Sequence, residues 1–222
     1  MSVALYWDID GTLLDTGGLG APILESAFEK IAGLKSLINK KSMSGMTDYE
    51  IVEELANKVD LQISDTQIEK IIVLYTERIK PLYESNPPKV FQNTLLALKY
   101  LEQDPQIFNF LASGNCKVGG LIKLEAANLS SFFPSEFCFF SSLKNKTRMQ
   151  ILAEVKLHTL GFDSAIVIGD SPRDIVCAKK NGLSVLALDS GQHNSSELRS
   201  YEPDFLLSNP WDIADFLRYI LS

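Results

Sequence analysis

The sequence is poor in zinc ligands, in net positive charge and in long apolar runs. Two histidines, His158 and His193, and three cysteines, Cys116, Cys138 and Cys177, include no CxxC pair. Zinc sites draw on clustered cysteine and histidine, so zinc chemistry is not expected. An odd set of widely spaced cysteines suits isolated thiols in a reducing compartment better than a disulfide framework. Lysine and arginine number 21 against 28 aspartates and glutamates, a net charge of −7, and the pI is near 4.9. Nucleic acid and anionic membranes select basic patches, so neither is an expected partner. No apolar stretch approaches the roughly 20 residues that span a bilayer. The start of the chain is not basic, and Val3–Trp7 is too short for the apolar part of a secretory signal, so a cytoplasmic protein is expected. Internal repeats, low-complexity tracts and any sign of an obligate protein partner are also missing.

What is present is ordinary globular material. The chain has 222 residues, 45% hydrophobic and 22% charged, enough for one sizeable core or a core with a smaller insert. Val3–Trp7 reads as a short buried strand. After Gly17, Gly18 and Gly20, apolar residues recur at helical spacing in three stripes: Ile23 to Ile31, Ile51 to Ala56 and Ile68 to Ile79. Thr47 and either Ser64 or Asp65 stand as caps for the second and third. Pro87-Pro88 then punctuate a change to alternation. Strands are expected at Ile107–Ala112, Phe137–Phe140, Ala165–Ile168, Val185–Leu188 and Phe205–Leu207. Helices are expected at Thr94–Gln103, Val118–Leu129, Thr147–Leu157, Pro172–Asn181 and Trp211–Leu221. Alternating strands and helices argue for an α/β fold, a Rossmann-like doubly wound parallel sheet, with a small all-helical insert after the first strand. The boundaries are 1–17 and 87–222 for the core and 18–86 for the insert.

The stretch LYWDIDGTLLDT, Leu5 to Thr16, organises the rest. An apolar strand that ends in Asp8 and Asp10 makes little sense as packing, because buried unpaired charge is costly. Two more polar clusters fall at strand ends, Ser113-Gly114-Asn115 and Gly169-Asp170 with Asp174. In an open parallel sheet, ligands sit at the carboxyl ends of the strands. Asp8 can act as a carboxylate nucleophile toward phosphorus, giving an aspartyl-phosphate. Asp10 can give a proton to the leaving oxygen and later take one from water. Attack of an anion on an anion calls for a cation, and oxygen-only ligands suit Mg²⁺. Gly11 lets the backbone approach a phosphate, and Ser113 with Gly114 offers a hydroxyl and main-chain donors near a helix start.

The set DIDGTLLD, LASGN and VIGDSPRD resembles the haloacid dehalogenase superfamily along essentially the whole chain, and its phosphatases rather than its dehalogenases, closest to phosphoglycolate phosphatase-like members. The resemblance implies that Asp8 is nucleophile and Mg²⁺ ligand. It implies that Asp10 is the acid/base and binds Mg²⁺ through its backbone carbonyl. Asp170 would be a further ligand, and Asp174 would hold the metal or its waters. Phosphate is expected among Ile9, Gly11, Thr12, Ser113, Gly114 and Asn115. Residues 18–86 would form a helical cap. A basic residue is expected at the head of a later helix, and Arg148 and Lys146 compete for it. Ser44-Gly45-Met46-Thr47-Asp48 resembles a Gly-Arg-Thr-Asp stretch of phosphoglycolate-type caps, with Met46 in place of the basic residue.

The expected function is Mg²⁺-dependent hydrolysis of a small phosphorylated metabolite. The alternatives are a phosphosugar mutase or phosphonate hydrolase on the same scaffold, or a non-hydrolytic switch protein that accepts phosphate on aspartate. Plainer readings exist for single residues. Ser113-Gly114-Asn115 also suits a turn, Asp174 could simply pair with Arg173 or Lys179, and Lys144, Lys146 and Arg148 also suit a solvated face.

Overall fold

A computed structural model describes residues 2–39, 41–133, 135–190 and 193–207. The expected helix at Trp211–Leu221 lies outside the described residues.

The chain opens on β1 (Val3–Trp7), crosses β2 (Leu14–Asp15), and forms α1 (Gly20–Ala32), α2 (Asp48–Asn57) and α3 (Asp65–Ser85). It returns through β3 (Lys89–Val90) and α4 (Gln92–Leu101) to β4 (Ile107–Cys116) and α5 (Lys117–Ala126). Then follow β5 (Cys138–Ser141), α6 (Arg148–His158), β6 (Ser164–Gly169), α7 (Pro172–Lys180), β7 (Ser184–Leu188), α8 (Ser195–Arg199) and β8 (Phe205–Leu207).

Among the described residues six strands form one parallel sheet in the order β5-β4-β1-β6-β7-β8. Every residue of β1 is buried, because the sheet is covered on both faces. Leu5 and Trp7 pack into one hydrophobic cluster with α4 and α5, while Ala4 and Tyr6 pack into another with α6 and α7. Each large apolar side chain so buried contributes about 1.5–3 kcal/mol. From β1 the chain runs outward through β4 to β5, then crosses back to β6 on the other side of β1 and on to β8, so β1 ends at the switch point, where such sheets place their ligands.

Helices α1 to α3 have a hydrophobic cluster of their own, built on Phe28, Leu55, Ile71, Ile79 and Tyr83. Capping boxes close the starts of α2 at Thr47 and of α3 at Ser64, each worth about 1 kcal/mol. This layer lies over the carboxyl end of the sheet, with α3 against α5 and Cys116 in its cluster. The two crossings between layer and sheet pair as a small antiparallel ribbon of β2 and β3. Two-residue strands carry no periodic signal, so the sequence did not announce that ribbon. Strand β4 also runs further than expected, through Ser113-Gly114-Asn115 to Cys116, with a register shift against β5 after Ala112. Among the described residues no helix is long and apolar enough to cross a membrane.

Candidate active site

A cavity of about 570 Å³ opens between the sheet ends and the helical layer. Asp8, Asp10, Ser113, Asn115, Arg148, Asp170 and Asp174 all line it. Asp8 leaves β1 with its backbone N–H donating to Ile168 O at 2.9 Å, so its position is tied to β6. Gly11, four residues after β1 ends, has φ of 81°. A Cβ there would lie 2.2 Å from Asp170 Oδ2, so only glycine allows Asp170 to approach the loop.

The carboxylates of Asp8, Asp170 and Asp174 each offer an oxygen within 4.8 Å of the others. Burial pushes Asp8 up to about 7; Arg148 and the Ser113 hydroxyl oppose the rise, and Asp174 and Asp10 add to it. Burial and the neighbouring acids Asp174, Asp8 and Asp10 hold Asp170 well above the usual carboxylate range. Buried acids crowded in this way are a good match to a hard divalent cation, and the all-oxygen donor set suits Mg²⁺.

Arg148 is the counter-cation inside the site. Its side chain is 2% exposed, with Nη2 2.6 Å from Asp174 Oδ1 and Nη1 3.5 Å from Asp8 Oδ1. Nη1 also donates to Ala112 O at 2.5 Å, which anchors the guanidinium under β4. Lys146 is not there. Thr147 caps α6 between the two residues, so Arg148 enters the helix while Lys146 turns toward the helical layer. The Lys146 ammonium meets Glu53 at 3.0 Å and Asp65 at 2.7 Å, and Thr47 Oγ1 donates to the Lys146 carbonyl. Of the two residues that compete for the basic position, Arg148 lines the cavity and Lys146 does not.

The acids divide their work. Asp174 Oδ2 accepts from the Ser171 N–H at 3.1 Å and hydroxyl at 2.7 Å, which closes the cap of α7. Its Oδ1 faces Arg148, so Asp174 binds neither Arg173 nor Lys179; these pair with Glu50 and Glu202. The Asp10 carboxylate stands apart from the acid cluster. Its Oδ2 accepts from Lys123 at 2.5 Å and from Asn115 at 2.9 Å.

The expected phosphate set is redrawn in part. The Ile9 side chain is in the core, and neither Ile9 nor Thr12 lines the cavity. The N–H of Gly11 donates to Leu14 O at 2.9 Å and that of Thr12 to Ile9 O at 3.3 Å, so both are used inside the loop. Thr12 instead supports Asp170, through a 3.4 Å hydrogen bond from Oγ1. Ser113 and Gly114 remain on the wall, with the Gly114 carbonyl held by the Ser141 hydroxyl at 2.8 Å. The Asn115 side chain lines the wall too but is committed to Asp10 and Lys123.

Two site residues were not anticipated. Lys123 is 4% exposed and lines the cavity. Its signal was its place in an apolar run, four residues after the buried Gly119. Asp48, at the first position of α2, reaches from the helical layer to accept the Cys116 N–H at 2.8 Å. Burial raises Asp48 above the usual carboxylate range, with Lys123 and the Cys116 N–H opposing.

Comparison with known proteins gives this arrangement a lineage. The curated "Probable phosphatase IndB" of Dickeya dadantii (strain 3937) is 24% identical over 221 residues, 93% of this chain and 90% of that protein. A haloacid dehalogenase-like hydrolase from Streptococcus pneumoniae superposes with a TM-score of 0.69 at 21% identity, over 98% of both chains. A beta-phosphoglucomutase candidate from Bacteroides vulgatus does so with a TM-score of 0.68 at 17% identity, over 98% of this chain and 86% of that one. At such identities the structural likeness is one of fold. The family described as haloacid dehalogenase-like hydrolase matches residues 5–188. That span carries the end of β1 with Asp8, the helical layer and the later strands that deliver site residues, and the chain accordingly belongs to the haloacid dehalogenase-like hydrolases.

Proposed function

We propose that this protein is a Mg²⁺-dependent phosphatase that hydrolyses a small phosphorylated metabolite through an aspartyl-phosphate on Asp8. The observation that carries the reading is the division of the acids. Asp8, Asp170 and Asp174 gather around one point with Arg148, while Asp10 is held separately on the same cavity by Lys123 and Asn115. The first group suits a metal and a phosphoryl group, and the second suits proton transfer.

In the first step an Asp8 carboxylate oxygen attacks phosphorus, and the bond from phosphorus to the leaving oxygen breaks. Protonated Asp10 gives its proton to that oxygen. In the second step Asp10, now a carboxylate, takes a proton from water as the water oxygen attacks the same phosphorus. Asp8 leaves as a carboxylate, and phosphate is released. The Ser113 hydroxyl stands beside Asp8 on the cavity wall, where it can hold a phosphate oxygen. Arg148 keeps Asp8 oriented and offsets the charge of the neighbouring acids. Bound at Asp8, Asp170, the Asp10 carbonyl and Asp174 or its waters, Mg²⁺ would supply the charge neutralisation that attack by an anion on a phosphate needs.

Residues 18–86 act as a cap in this reading. The Lys146 contacts with Glu53 and Asp65, the Arg173–Glu50 pair at 3.6 Å and the Asp48 bond to Cys116 are the contacts that would hold it closed. Closure excludes bulk water during attack. The test is release of phosphate from a generic aryl phosphate and a metabolite panel with Mg²⁺. The assay follows the product, because an isomeric phosphate ester in place of free phosphate would indicate a mutase. A long-lived phosphoprotein without turnover would indicate a switch.

A further inference from the structure

The cavity is larger than a phosphate needs, and its remaining wall has a distinct character. Six carboxylates line it, those of Asp8, Asp10, Asp15, Asp48, Asp170 and Asp174. Among the described residues only two cations line it, and both are taken: Arg148 by Asp174 and Asp8, Lys123 by Asp10 and Asn115. A second anionic group on a substrate would find no unpaired cation and would meet Asp15 and Asp48, which form no ion pair with Arg148 or Lys123.

The wall supplied by the helical layer is largely apolar. Leu24, Ile38, Met43, Met46 and Ile51 line it. Its polar members are Ser44, Asp48 and a pair of tyrosines on α3. The Tyr75 and Tyr83 hydroxyls converge on Gly20, at 3.0 and 3.2 Å from where a Cβ would stand. Tyr83 is 0% exposed and lines the cavity. Its hydroxyl makes no aligned hydrogen bond, although Thr16 lies beside it. A buried hydroxyl without an aligned partner costs free energy that a ligand group can recover.

From the charge account of this cavity and the Tyr83 hydroxyl, and resting on the phosphatase reading above, we infer the substrate class. It is a phosphomonoester whose leaving group is uncharged and partly apolar and carries a hydroxyl for Tyr83. Phosphorylated carboxylic acids and bisphosphates are rejected. Met46 and its apolar neighbours take the carbon skeleton, and Tyr83 takes the hydroxyl.

The test uses matched pairs of esters: phenyl phosphate against 4-carboxyphenyl phosphate, and glycerol phosphate against phosphoglycerate and against propyl phosphate. Affinity is read apart from turnover, by calorimetry on Asp8→Asn protein with Mg²⁺, and wild-type kcat/KM is read on the same esters. Neutral members should bind at least tenfold tighter than their carboxylate partners. Glycerol phosphate should exceed propyl phosphate, and Tyr83→Phe should erase that advantage. Met46→Arg should move the neutral-to-carboxylate ratio at least tenfold toward the carboxylate. Equal or tighter binding of the carboxylates, or a hydroxyl preference untouched by Tyr83→Phe, overturns the inference. Neutral-selective binding with no wild-type turnover of any ester supports the inference and overturns the phosphatase reading instead.

Discussion

Lys123 Nζ lies 2.5 Å from Asp10 Oδ2 and 3.1 Å from Asn115 Oδ1, while the Asn115 amide donates to the same Asp10 oxygen at 2.9 Å. The three side chains close a triangle across β4, α5 and the loop after β1. Both donors meet one carboxylate oxygen, so Asp10 cannot rotate freely and Oδ1 is the oxygen available to a substrate. Burial would lower the Lys123 ammonium, but Asp10, Tyr83 and Asp48 outweigh it and hold the group above the ordinary lysine range. Lys123 therefore keeps its charge beside Asp10, and its contact holds that carboxylate in place.

Replacing Lys123 with Met should lower kcat with little change in KM. The loss should stay below the roughly 10²–10⁴-fold that a general acid–base contributes. It should be larger for alkyl phosphates, whose leaving oxygen needs a proton, than for nitrophenyl phosphate, whose leaving oxygen does not. Steady-state kinetics on both ester types checks this. An equal loss on both would mean that Lys123 merely supports the fold.

Arg148 and Lys146 should separate cleanly. Arg148→Met leaves Asp8 and Asp174 buried without their cation, and removing one partner of a buried pair costs about 3–5 kcal/mol. Denaturant unfolding should show that loss, and turnover should fall with it. Lys146→Met removes half-exposed pairs worth about 1 kcal/mol or less. It should leave the chemical step intact, changing the opening of the helical layer and hence KM. If Lys146→Met abolishes single-turnover chemistry, the division of roles between these cations is wrong.

The acid cluster makes stability depend on pH and metal together. Asp8 rises from the usual 3.8 to about 7 on folding, and Asp170 moves the same way. In that interval the folded protein keeps protons that the unfolded chain has lost, so stability falls as pH rises. With a chelator, Tm should drop between pH 5 and pH 8. Mg²⁺ binds the ionised cluster and should raise Tm more at pH 8 than at pH 5. Asp170→Asn should flatten both dependences. A chelated protein whose Tm is level across that range, with no gain from Mg²⁺, would contradict the assignment of the cluster.

Much of this was legible in the chain. Strand β1 and the later core strands are covered on both faces, so they read as apolar runs closed by polar residues, and the acids mark their ends. What escaped was set by tertiary contact. Lys123 meets Asp10 across 113 positions and Asp48 meets Cys116 across 68, and no local pattern records such a pair. Ser113-Gly114-Asn115 has the composition of a turn but finishes β4, because the register shift against β5 accommodates it. Lys146 and Arg148 were indistinguishable by residue type. The Thr147 cap between them decides which one enters the site. Helix α8, at five residues, was too short to show a period.

The claim on which the rest depends is that Asp8 carries the phosphoryl group. Phosphate release from a neutral phosphomonoester, with Mg²⁺ present and the wild-type protein compared with Asp8→Asn, tests it most directly. Wild-type protein should turn over, and Asp8→Asn should lose about 10⁴-fold or more, as expected when a nucleophile is removed. Its fold should be kept, because asparagine matches the aspartate side chain in shape. Turnover by Asp8→Asn at the wild-type rate would contradict the nucleophile and the mechanism built on it.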